Sequence, residues 1–298
     1  MKYLDDVKNY IRDLEPKLST MVQDGVKFAV MKDSDGDSTL FNGLLASIYQ
    51  GCENWPLRAV FGSQGDNGMF FRSPRRRATN NAGYSTFFSR DQASGVIAAA
   101  TNPGFEARVW NRWLDYISGS RSCLVKKPWG GGCLIRSPIY KYATDDRSDI
   151  SPSCWAMMGR VASGRGWGSR LEMEKWKGYD GDASVIEAKN CEKGYQLHLK
   201  AVDAFIKFCM GQSREYSQKV GDIAYSRVPD NLFYEFLSKR YITDDFIKRY
   251  LDISPPIAGV FGNGWVWQSA CVADELPYSS GWDFIFLGNL ILYICKQG

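Results

Sequence analysis

The carboxylates of this chain fall where acid–base chemistry could be assembled. The stretch "DSDGDSTLFNGLL" sets Asp33, Asp35 and Asp37 on alternate positions directly before an apolar helix. Alternating oxygen donors suggest a calcium loop. An EF-hand, however, needs Gly at its sixth position and a bidentate Glu at its twelfth, and those positions hold Ser38 and Leu44. No metal is assigned. Two readings of the aspartates stay open. Asp37 or Ser38 can cap the helix and face the positive end of its dipole; alternatively, Asp35 or Asp37 stands at the mouth of a cleft, with Asp33 in solvent. Asp91 in "FSRDQ" opens a second helix and Asp283 in "SGWDF" a third. A lone buried carboxylate is expensive, so Asp283 must lie near a helix start or be paired. Two carboxyl groups, one protonated and one ionised, are the minimum for cleaving a glycosidic bond. Asp37 and Asp91 are the candidate pair, with Asp283 or His198 as an auxiliary group.

His198, in "GYQLHLKAV", is the single histidine. It reads either as a packed core residue or as an imidazole in the first turn of an inner helix beside Tyr195, placed to bind substrate or shuttle a proton. Ser-His-Asp catalysis would have to use it, but the chain has no G-x-S-x-G elbow. "FFRSPRRRATNN" is the densest basic cluster. Its Arg72 and Arg75, with Arg90 further on, are candidate forks for the acid groups of a ligand, against the plain alternative of a solvated loop. Ten Trp and 14% aromatic residues are high, and several rings sit in glycine-rich polar loops: "GRGWGSR", "GNGWVWQS" and "SSGWDF". Trp167, Trp265, Trp267 and Trp282 are therefore candidate platforms for stacking on sugar rings, or aromatics closing over a core.

Composition narrows the classes. A net charge of +4 with one short basic cluster is a poor phosphate-tracking stripe, so nucleic acid is not the expected partner. No P-loop or Rossmann fingerprint occurs, and no cofactor is expected. Eight Cys without a CxxC, beside one His, do not make a zinc site. They read as reduced thiols, with a Cys123–Cys133 disulfide as the alternative. The N-terminus lacks the apolar core of a signal peptide. The longest apolar run, 282–295, is too short to span a bilayer and carries Asp283. The expectation is a protein made cytoplasmically without a signal peptide and without a membrane span.

The elements that must position these groups are mostly helical. Helical spacing of Leu4, Val7, Ile11, Leu14 and Leu18 predicts a first helix ending near Gly25. Further helices are predicted over 38–50, from Ser89 with Gln92 as a capping box, and over 105–119, with Phe105, Val109, Trp113 and Ile117 on one face. The rest are placed at 151–166, 194–211, 214–229, 231–251, 264–273 and from Ser280. Around 120–190 the pattern weakens to a loop-rich or small β insertion. Apolar helices opened by Gly, Ser or Asp alternate with amphipathic ones, as a double ring of helices requires. In such a ring the inner helices run parallel and their motif-bearing starts share one end. One mainly α domain over 1–298 is expected.

The motifs "DGDSTLFNGLL", "NNAGYSTFFSRDQASGV", "GYQLHL" and "SSGWDF" resemble the layout of the six-hairpin glycosidase-like proteins, an (α/α)6 toroid, over nearly the whole chain. "RSP…FSRD" followed by "GWDF" is similar to bacteriophage virion or cell-wall-attacking proteins. This resemblance implies a glycoside hydrolase-like protein acting on a bacterial, acidic polysaccharide. The alternatives are a non-catalytic structural or glycan-binding protein of a phage virion, among other virion proteins, and a polysaccharide lyase. A hydrolase needs two carboxylates facing one another across the funnel, and a lyase needs Tyr or His beside Arg. A binding protein would have its carboxylates consumed in caps and salt bridges.

Overall fold

Pro16 decides how the chain begins. The computed structural model, described here for residues 1–32, 34–81, 88–127, 133–143, 149–176, 179, 182–211 and 214–297, ends helix α1 (Leu4–Leu14) before this proline. The segment from Glu15 forms a single 3-10 turn instead of continuing the helix to Gly25. The chain then makes a hairpin of β1 (Thr20–Gln23) and β2 (Val26–Ala29), with Thr20 opposite Ala29. Its two-residue turn is Asp24-Gly25, both at positive φ (51° and 75°), the conformation that favours Asp-Gly. Asp33 lies outside the described residues.

The remaining elements are nearly all helices: α2 (Ser38–Ile48), α3 (Trp55–Gly62), α4 (Pro74–Ala78), α5 (Arg90–Ala100) and α6 (Ala107–Gly119). A second hairpin follows, β3 (Arg121–Lys126) with β4 (Cys133–Tyr140), within the span expected to hold a small β insertion. Then come α7 (Pro152–Gly164), α8 (Leu171–Lys175), α9 (Asp182–Asn190), α10 (Tyr195–Cys209), α11 (Arg214–Arg227), α12 (Leu232–Lys239), α13 (Asp244–Ile253), α14 (Val272–Glu275) and α15 (Trp282–Gln297). With 58% helix and only two-stranded sheets among the described residues, the chain is mainly α.

Several boundaries follow from local chemistry. Ser151 accepts the Cys154 N–H and opens α7, with Pro152 at its first turn. Phe105, Val109, Trp113 and Ile117 are all buried on the inner face of α6 and its approach. The expected helix over 231–251 is two helices, because Arg240 closes α12 in the left-handed conformation (φ 63°) and the Thr243 hydroxyl accepts the Phe246 N–H to open α13. The helix expected over 264–273 is a 3-10 turn at Val266–Gln268 followed by the four-residue α14. The Ser89–Gln92 capping box does not form. Ser89 donates to Asp91, and Gln92 reaches across to α2. Cys123 and Cys133 are joined in a disulfide across the second hairpin, correcting the reading of all eight as thiols.

The apolar helices run side by side in the same direction. At the starts of α2 and α5, Gln92 accepts the Leu40 N–H at 3.1 Å; at their ends, Asn102 donates to the Ala46 carbonyl at 2.8 Å. Their crossing is made by Gly43 against Gly95, where a Cβ on either would strike backbone of the other helix. Asn289 of α15 accepts the Gln50 N–H just past the end of α2, while Trp282 and Ser38 at the two starts line one cavity. Arg165, past the end of α7, donates to Pro103 and Phe105 just past α5. His198 meets Phe233 at the starts of α10 and α12, and Phe208 meets Phe236 near their ends. Phe205, Phe233 and Phe286 join α10, α12 and α15 at 5.4–5.7 Å. Amphipathic α1 packs outside α15, and α11 outside α10 and α12. No described helix is long and apolar enough to cross a membrane.

Candidate functional site

Because these helices are parallel, their starts collect at one end. Asp37 occupies the position before α2, but its side chain makes no capping bond. Ser38 does not cap either; its hydroxyl donates to the Ala29 carbonyl at 2.9 Å. Asp37 Oδ1 instead accepts from Arg72 Nη1 at 3.2 Å and Gln92 Nε2 at 2.9 Å. The Arg72 fork holds two loops together: Nη1 also donates to the Gly36 carbonyl at 2.7 Å, and Nη2 donates to Ser89 Oγ at 3.3 Å. Ser89 in turn donates to Asp91. Asp37, Arg72, Ser89 and Asp91 thus form one chain of polar contacts. Burial, and then the Asp91 charge, push the Asp37 carboxyl above the ordinary carboxylate range. Its side chain is still 46% exposed, so it is reachable.

Two depressions flank this chain. A cavity of about 220 Å³ lies on the Asp37 side, lined by Ser34, Ser38, Phe41, Asn263 and Trp282. A cleft of about 740 Å³ opens on the Asp91 side, between the starts of α5, α7 and α10 and the end of α9. Arg90, Asp91, Glu187, Tyr195, Lys200 and Asp203 line it. Tyr195 is 63% exposed there, and Tyr179 is a second open ring on the same cleft. Lys200 is ion-paired with Glu187. Asp203 is pushed up by burial, against the pull of Lys200 and Lys207.

The other expected site residues are used differently. Asp35 is 1% exposed and saturated: Ser73 Oγ donates to it at 2.6 Å, Arg75 at 2.7 and 3.0 Å, and Arg76 at 3.1 Å. Burial works against ionisation, but these donors outweigh it and hold the carboxyl below its usual range. Asp35 and Arg75 therefore tie the loop before α2 to α4 and do not offer themselves to a ligand. Asp283 is fully buried and accepts from the Val266 N–H at 2.9 Å, Ser279 Oγ at 2.7 Å and the Phe284 N–H at 3.0 Å. Burial dominates and pushes its carboxyl up to about 6. It anchors the start of α15 from inside the core. His198 is likewise buried beside Phe233, and burial pushes its imidazole down to about 4, offset in part by the backbone of Trp267. A neutral, enclosed ring of this kind does not exchange protons with a ligand in the cleft.

The tryptophans are also corrected. Trp265, Trp267 and Trp282 are at most 1% exposed. Trp265 stacks on Phe41 at 4.3 Å, and Trp267 donates to the Asp283 carbonyl. Trp167 packs on Phe105 and Trp110 beyond the end of α7, at the opposite end from the helix starts. The rings actually open to the cleft are tyrosines.

The structure thus links Asp37 through Arg72 and Ser89 to Asp91, which shares the large cleft with Arg90 and Tyr195, and withdraws Asp35, Arg75, Asp283, His198 and the four tryptophans. Asp203, Lys200 and Glu187 were missed. Their signal was available: Gln196, Lys200, Asp203 and Lys207 make a polar stripe at helical spacing along an otherwise apolar helix. Among the described residues no group of three His, Cys, Asp or Glu is arranged to hold a metal ion. No protein-family model, no curated protein and no solved structure matches the chain.

Proposed function

We propose that the protein is a glycoside hydrolase-like enzyme that cleaves a bacterial, acidic polysaccharide, with Asp37 as the proton-holding carboxyl and Asp91 as its partner. The observation that carries this reading is the continuous Asp37–Arg72–Ser89–Asp91 chain, which joins Asp37 on the smaller cavity to Asp91 on the large cleft. A carboxyl raised above its ordinary range by burial and a neighbouring charge is the better suited of two to protonate a leaving oxygen, and a second carboxylate activates water or attacks. Arg90 and Lys200 supply cations for an acidic sugar, and Tyr195 and Tyr179 supply faces for stacking. The parallel course of α2, α5, α7, α10, α12 and α15 supports an (α/α) toroid with this site at the N-terminal ends of its inner helices. The setting in a phage virion is part of the same proposal and rests on the sequence resemblance.

A second reading, a glycan-binding protein without chemistry, is favoured by the complete use of Asp35 and Asp283 in internal bonds. Incubation with a panel of bacterial glycans separates the readings. New reducing ends without unsaturated-uronate absorbance support the hydrolase. Absorbance at that band indicates a lyase, for which Tyr195 and Arg90, which both line the cleft, would be the base and the neutralising cation. Retained binding with neither product overturns the enzyme.

A further inference from the structure

The formal net charge of +4 is unevenly placed. Between Gly119 and Tyr142 the chain carries Arg121, Lys126, Lys127, Arg136 and Lys141 and no Asp or Glu. Those five cations exceed the whole net charge, so the rest of the chain sums to −1. This segment is the β3–β4 hairpin, a sheet of two strands only, stapled by the Cys123–Cys133 disulfide. Among the described residues neither strand pairs with a third, apart from the Tyr140 carbonyl at the end of β4 accepting the Ile150 N–H at 3.0 Å, and such a hairpin is marginal in water unless something covers it.

Its apolar side chains are also turned outward. Leu124, Val125, Leu134, Ile135 and Ile139 are 62%, 41%, 60%, 50% and 48% exposed, and Val125 sits directly opposite Ile135. Lys126, Lys127 and Arg136 are exposed among them, while the Arg121 guanidinium lies 4.8 Å over the Tyr140 ring. Aliphatic side chains interleaved with cations match an anionic lipid surface: the former enter the headgroup–acyl boundary and the latter meet the phosphates. A second copy of the chain would set the same cations against one another. Nucleic acid would leave the aliphatic side chains unmatched.

We infer that the β3–β4 hairpin docks the protein on an anionic phospholipid surface, lying on it without spanning it. This inference does not depend on what the cleft does. Flotation of the full-length, disulfide-intact protein with vesicles tests it. Vesicles of phosphatidylcholine with a quarter phosphatidylglycerol should carry the protein, and pure phosphatidylcholine vesicles should not. About 0.5 M salt, where the screening length falls to a few ångström, should release it. K126E/K127E should lower partitioning by roughly six-hundredfold, since each basic side chain near such a surface contributes about fivefold and reversal doubles that free energy, to about 25-fold per position. L124S/I135S should lose binding with an unchanged circular dichroism spectrum, because both side chains are already in solvent. Four results overturn the inference: no flotation, equal flotation on neutral vesicles, variants that float like the wild type, or a dimer in sedimentation that L124S/I135S dissociates.

Discussion

Replacing Gly95 by Ala should destabilise the protein although alanine is the better helix former. In an open helix the exchange gains about 1 kcal/mol. Here the added Cβ would stand 2.5 Å from Leu40 Cα and 2.6 Å from the Thr39 carbonyl oxygen, both backbone of α2. Side chains could turn aside from such a clash, but helix backbone cannot, so α5 must move away from α2. Overpacking of this kind costs about 3 kcal/mol. The net loss is then about 2 kcal/mol, or roughly 3 °C in thermal midpoint for a chain of this size. Gly119, which closes α6, supplies the control, since a Cβ there meets nothing within 4 Å. Differential scanning fluorimetry of G95A and G119A beside the wild type reads both. A midpoint for G95A at or above that of the wild type would refute the glycine-mediated crossing, and with it the close approach that sets Asp37 beside Asp91.

Further outcomes follow from the buried charges. Asp283, pushed up to about 6 from 3.8, keeps a proton in the folded chain that the unfolded carboxyl releases, so its contribution to stability declines as pH rises between those values. His198, pushed down to about 4 from 6.5, gains its proton on unfolding, so its contribution is lost as pH falls through that window. D283N should therefore steepen the fall of the thermal midpoint on acidification and H198Q should flatten it, each by about 3 kcal/mol across the window; profiles parallel to the wild type would contradict both assignments. D35A should cost about 3 kcal/mol by stranding Arg75 and Arg76, visible in urea unfolding. If Asp35 instead serves a ligand, D35A will keep the wild-type midpoint. D37N should lower cleavage of any glycan the wild type cuts by roughly 10²–10⁴-fold in kcat, with its thermal midpoint near that of the wild type.

The helical course was legible where one face carries the pattern, as at Phe105, Val109, Trp113 and Ile117, which are all buried on one side. It failed where a local signal was overrun. Pro16 stops α1, and Thr243 followed by two aspartates opens α13 inside a run that reads as one amphipathic helix. The tryptophans misled for a tertiary reason. Glycines beside them suggest open loops, but Gly262 and Gly264 have no Cβ so that backbone can close against Tyr278, which seals Trp265 inside. Asp37 and Asp91 were legible as helix-start carboxylates; that Arg72 and Ser89 would link them was not, because the linkage crosses from α2 through the loop before α4 to α5. Asp35 read as a second group at the same cleft mouth as Asp37, and the positions of Ser73, Arg75 and Arg76 are what withdraw it.

The central claim is that Asp37 and Asp91 form one electrostatically coupled pair. Carboxyl carbon-13 titration of Asp37 in the wild type and in D91N reads this without a substrate. The account predicts an Asp37 value above the ordinary carboxylate range that falls when Asp91 loses its charge. An ordinary value in the wild type, or one that D91N leaves unchanged, would contradict it.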